Sequence, residues 1–146
     1  MNSLLLKIIF VATSLINFIM IDIAVAATDT NPQLLLKSYA AQAKKENPSF
    51  KEFASLRGEQ FYHAERVHSE GDKVSCMTCH TTNPKNIGKT RAHKEIKPMA
   101  VSLNTERFSD TEKVEKWFKR NCQDVLERTC SAQEKGDFIA YLLSVK

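Results

Sequence analysis

Cys76-Met77-Thr78-Cys79-His80 brings together, in five consecutive residues, side chains whose types and spacing suit one kind of chemistry. Two thiols three positions apart can each add across one vinyl group of the same porphyrin. The histidine directly after the second thiol then falls under the iron as the proximal ligand, and C-x-x-C-H is the attachment signature of a c-type haem. A proximal histidine is neutral imidazole, usually fixed by a hydrogen bond from its other ring nitrogen. Two other chemistries use paired cysteines. A thioredoxin-like dithiol sits in a strand–helix unit, which the flanking pattern does not provide. A zinc site needs a second ligand pair at close spacing, whereas Cys122 and Cys130 are eight apart. One such motif predicts one covalent haem.

What such a haem does depends on the face opposite His80. Met77 lies inside the motif and cannot reach that face. Met99 is the first candidate for a Met/His electron carrier, whose thioether raises the reduction potential. His63, His68 and His93 offer bis-histidine ligation as the second. Asn121 ranks last on residue chemistry alone, although it stands beside Cys122.

The elements that must position these groups read as helices. Asn31 can cap a first one, with Pro32 at its first position and Leu35, Leu36, Tyr39 and Ala40 at helical spacing. Asn47-Pro48 breaks that run. Ala54, Gly58, Phe61 and Tyr62 then share one face of a second helix. A glycine within a helix costs about 1 kcal/mol against alanine, so Gly58 is either a close backbone contact or a tolerated defect. Residues 69–75 read as a polar loop delivering Cys76, and 81–109 as a long irregular stretch able to wrap a large flat group. Lys85, Lys89, Arg91, Lys94 and Lys97 make that stretch basic, for pairing with haem propionates or an acidic redox partner, or as a solvated loop. Ser109 with Glu112 and Ser131 with Glu134 give two capping boxes. Val114, Trp117 and Phe118 form the apolar face after the first, in a helix ending near Asn121. Phe138, Tyr141, Leu142 and Val145 form the face after the second. The fold class is all-α, with about four helices, little strand and one long loop.

Lys7, the apolar run from Leu4 to Ile21 and Ala24-Val25-Ala26 form a secretory signal, cleaved after residue 26. Residues 27–146 are then one exported domain, small enough that a covalent haem would supply much of its core. Export to an oxidising compartment leaves Cys122 and Cys130 as a disulfide worth roughly 2.5 kcal/mol, or else as two separate buried thiols. The net charge of +4 is modest and mixed in sign, unlike the concentrated basic stripe of a nucleic-acid binder.

Arg57-Gly58-Glu59-Gln60-Phe61-Tyr62 resembles the N-terminal helix of class I cytochromes c, and Asp137-Phe138-Ile139-Ala140-Tyr141-Leu142 resembles their C-terminal helix. In that fold the two helices cross closely, with Gly58 at the crossing. Thr90-Arg91, Lys94-Glu95-Ile96-Lys97-Pro98, Arg107-Phe108, Val114-Glu115-Lys116-Trp117 and Arg120-Asn121-Cys122 resemble the sphaeroides haem protein family. So do the spacing from Cys122 to Cys130 and the following Glu134-Lys135. The resemblance implies a small oxygen-binding cytochrome c with Asn121 as sixth ligand, directly before a Cys122–Cys130 disulfide. Met99 falls where the family's pattern has leucine, which demotes it to packing. An amide oxygen is a hard, weak donor that suits ferric better than ferrous iron, so reduction should release it. The resemblance further implies binding of O₂ or NO, reaction of bound O₂ with NO to give nitrate, and electron supply from a dihaem cytochrome c and a membrane b-type cytochrome. A periplasmic, redox-gated gas binder and a plain electron carrier with Met99 or a histidine as permanent ligand are the two functional expectations.

Overall fold

A computed structural model of the protein describes residues 31–146; the signal sequence and its cleavage site lie outside these residues. Helices α1 (Asn31–Glu46), α2 (Ser55–His63), α3 (Met77–His80), α4 (Thr111–Leu126) and α5 (Ala132–Ser144) are joined by irregular segments. Two-residue antiparallel ladders pair β1 (Arg66–Val67) with β2 (Lys73–Val74) and β3 (Gly88–Lys89) with β4 (Glu95–Ile96). The class is all-α, as expected. The loop before Cys76 is more ordered than its polarity suggests: it is a hairpin turning at Gly71, whose φ of +92° favours a glycine.

The core lies where α1 and α2 pack on α5. Tyr39, Tyr62, Ile139 and Leu142 are its fully buried large side chains. Close approach of α2 and α5 is set by Gly58, where a Cβ would stand 1.9 Å from the carbonyl oxygen of Asp137. Gly58 is therefore a contact, and the alternative of a tolerated defect is excluded. Asp137 is buried beside that crossing and fully engaged. Its carboxylate accepts from Arg57 Nε at 2.8 Å, from a second Arg57 nitrogen at 2.9 Å and from the Ala54 N–H at 2.7 Å. A buried charge is tolerated when paired and hydrogen-bonded in this way.

Three local expectations change. The cap of α4 is Asp110, whose carboxylate accepts the Lys113 N–H at 3.0 Å, while the Ser109 hydroxyl donates to the Glu106 carbonyl. A carboxylate complements the positive helix N-terminus better than a hydroxyl, so the boundary moves by one residue. Trp117 is 45% exposed, under the Arg120 guanidinium, because the buried stripe of α4 is Val114, Phe118 and Cys122. The helix also runs past Asn121 to Leu126, closing at Glu127. The second capping box forms as expected, with Ser131 and Glu134 each accepting from the other's backbone N–H.

Candidate haem-attachment site

The C-x-x-C-H residues occupy a single helical turn. The His80 N–H donates to the Cys76 carbonyl at 3.0 Å, and the Thr81 N–H to that of Met77 at 2.9 Å. Cys76, Cys79 and His80 thus stand at i, i+3 and i+4, neighbours on one side of the turn. The turn is fixed from three directions. The Thr78 hydroxyl oxygen accepts the Ser75 N–H at 3.0 Å. Tyr62, itself fully buried, donates its hydroxyl to the carbonyls of His80 at 3.0 Å and Thr81 at 2.7 Å. Gly88 on β3 presses on the far side, where a Cβ would meet the Cys79 carbonyl oxygen at 2.2 Å. The chain leaves at Thr81 with φ 65° and ψ 168°, and is held there by the Tyr62 bond and by Thr81 Oγ1 donating to the Asn83 carbonyl.

These residues fit a haem. His80 Nδ1 is buried with no hydrogen-bond partner, so the bond expected from that nitrogen is not made among the described residues. Neither ring nitrogen of His80 is engaged in a hydrogen bond among the described residues, so the imidazole is available as a ligand. Burial, and after it the nearby Arg107 cation, push the imidazole down to about 4, leaving it neutral and able to coordinate a metal. Burial pushes the Cys76 thiol up to about 11, a penalty that a thioether does not carry. Arg107 is a residue that sequence reasoning saw only as part of a family pattern. Its guanidinium donates to the carbonyls of Lys97 and Pro98, and burial disfavours its charge. Among the described residues it has no carboxylate partner, and a haem propionate would supply one.

The candidates for the opposite face are sorted by their surroundings. Met99 is buried in the core, its N–H held by the Pro84 carbonyl at 2.8 Å. Both ring nitrogens of His63 lie on backbone carbonyls, Glu59 at 2.9 Å and Thr82 at 3.1 Å. His68 Nε2 faces the Val125 carbonyl at 3.3 Å. His93 is exposed at the β3–β4 turn with φ 58°. Asn121 is half-buried on α4, within about 20° of Val114 around the helix axis, with Val125 about 20° to the other side of Val114. Its side chain makes no hydrogen bond among the described residues. Cys122 and Cys130 stand together with Cα atoms 5.6 Å apart, a separation that a disulfide spans. Cys122 lies in the interior of α4, and Cys130 stands directly before the Ser131 cap of α5.

An all-α chain with this turn at its centre is a monohaem c-type cytochrome. Residues 48–142 match the family described as Domain of unknown function (DUF1924). Cytochrome c'' of Methylophilus methylotrophus is 40% identical over 116 residues, covering 79% of this chain and 81% of that one. Cytochrome c-type protein SHP of Cereibacter sphaeroides is 39% identical over 116 residues, covering 80% and 85%. Among solved structures, oxidized SHP, described as an oxygen-binding cytochrome c, superposes with a TM-score of 0.69 at 37% identity over 78% of this chain and 96% of that one. The solution structure of Methylophilus methylotrophus cytochrome c'', reported for the structural basis of haem-ligand detachment, gives 0.71 at 39% over 78% and 93%. The chain belongs to the sphaeroides haem protein family of c-type cytochromes, with its class I-like fold and one covalent haem c.

Proposed function

We propose that this cytochrome is a redox-gated binder of small diatomic gases, with Cys76 and Cys79 as the thioether residues, His80 as proximal ligand and Asn121 as the sixth ligand of the ferric state. The observation that carries this reading is the half-buried place of Asn121 at the edge of the buried stripe of α4, beside Val114, with an amide not committed to any other described group. The family description of SHP as oxygen-binding, and of cytochrome c'' as a case of haem-ligand detachment, support it. Haem c supplies an iron whose sixth position accepts O₂ or NO once that position is vacated in the ferrous state. Asn121 does the gating. With the haem in place its Oδ1 would be a weak donor better suited to the harder ferric ion, and the amide freed on reduction would be available as a hydrogen-bond donor beside the gas ligand. A Cys122–Cys130 disulfide restrains this movement to a small one. Consumption of bound O₂ by NO, with one electron from a redox partner, would give nitrate with atoms and charge balanced. That partner is of the dihaem cytochrome c and membrane b-type cytochrome kind, and the setting is periplasmic, after removal of residues 1–26. Among the described residues no helix is long and apolar enough to cross a membrane.

Addition of CO to the dithionite-reduced protein tests the reading. A high-spin ferrous spectrum that converts to a low-spin CO adduct at micromolar gas is expected. A low-spin ferrous spectrum indifferent to CO would instead define an electron carrier with a permanent sixth ligand.

A further inference from the structure

The hairpin before Cys76 and the turn after α4 hold each other. Glu127, which closes α4, has φ 54° and ψ 23°. Helices commonly end on that left-handed conformation, but usually with glycine, because a Cβ there crowds the following carbonyl oxygen. The side chain retained at this position has a use. Its carboxylate accepts the Ser69 N–H at 3.0 Å and the Ser69 hydroxyl at 2.6 Å. Two residues back, the Val125 carbonyl faces His68 Nε2 at 3.3 Å. His68 and Ser69 sit in the β1–β2 connection, and β2 runs directly into Ser75 and Cys76. Asn121 lies one helical turn before Val125. The three contacts therefore tie the end of the helix that carries the proposed sixth ligand to the segment that carries the first proposed thioether.

We infer that Glu127, with Ser69 and His68, is a positioning latch that holds Asn121 against the ferric iron. The inference rests on Asn121 being the ferric ligand. An external ligand for ferric iron must compete with Asn121, so its apparent affinity is reduced by the fraction of protein in which the amide is bound. Releasing the latch lowers that fraction and raises the apparent affinity. In the ferrous state Asn121 has already left, so the latch has nothing to hold and CO affinity stays the same.

Imidazole titration of the ferric holoprotein and CO titration of the ferrous holoprotein test this on Glu127→Gly, Ser69→Ala, Glu127→Gln and Asn121→Ala. Glycine relieves the left-handed backbone at 127, so the first variant keeps its fold. Glu127→Gly and Ser69→Ala should bind imidazole about fivefold more tightly or better, with Glu127→Gln between them and the parent. Their CO affinities should stay within about twofold of the parent. If Asn121→Ala tightens imidazole binding while both latch variants match the parent, the latch is refuted and the ligand reading stands. If Asn121→Ala itself changes nothing, the ligand reading fails and the latch fails with it.

Discussion

Tyr62 joins the core to the chemistry: its ring is buried among Phe138 and Tyr141, and its hydroxyl serves the last two carbonyls of the proposed haem-attachment turn. Tyr62→Phe keeps the ring and removes the donor. Two carbonyls then lose their shared partner, and the protein should be destabilised by about 1–3 kcal/mol in chemical denaturation, with haem attachment retained. The sequence announced the five residues of the motif because their chemistry fixes their spacing. It did not announce Tyr62 as an anchor or Arg107 as a buried cation. An aromatic on an apolar face and an arginine in an irregular stretch look ordinary until the fold brings them to His80. Asn121 was weak on chemistry alone for the same reason, since asparagine near a helix end is usually a cap.

Helix α4 is where most local expectations shifted, and its contacts explain its importance. Glu115 accepts from Lys135 on α5 at 2.8 Å and from the Tyr39 hydroxyl on α1, so one carboxylate joins three helices. Burial alone would raise that carboxyl, but the Lys135 and Tyr39 hydrogen bonds outweigh it and hold it below the usual carboxylate range. A depressed carboxylate contributes stability that is present above its unfolded value and lost as pH falls through the folded one. The thermal midpoint of Glu115→Gln should therefore lie below the parent's at pH 6–7, with the gap closing below about pH 4. Screening of a half-exposed carboxylate keeps the gap modest. The α2–α5 crossing makes the opposite kind of prediction. In an open helix Gly→Ala stabilises by about 1 kcal/mol. At Gly58 the added methyl meets a backbone carbonyl, and Gly58→Ala should destabilise by about 2 kcal/mol or more in urea melts. Helices were legible because their apolar periodicity survives in the fold. The cap at Asp110 and the exposure of Trp117 were not, because both depend on which neighbouring element each face meets.

Across the whole molecule, charge is unevenly placed. Lys85, Lys89, Arg91, Lys94 and Lys97 are all exposed around the β3–β4 hairpin, which packs through Gly88 directly on the proposed haem-attachment turn. Such a field steers anionic redox partners at low ionic strength and is screened over about 10 Å at 0.1 M salt. Oxidation of the reduced protein by ferricyanide should slow about threefold or more in Lys89→Glu/Lys94→Glu at low ionic strength, and the difference should vanish in 1 M salt. The proposed function, however, turns on one coordination change, in which Asn121 is bound to ferric iron and absent from ferrous iron. The most direct measurement is the pair of ferric and ferrous absorption spectra for the parent, Asn121→Ala and Met99→Leu. Asn121→Ala should alter the ferric spectrum strongly and leave the ligand-free ferrous spectrum unchanged, while Met99→Leu alters neither. A low-spin ferrous parent that becomes high-spin in Met99→Leu, with Asn121→Ala silent in both states, would contradict the account.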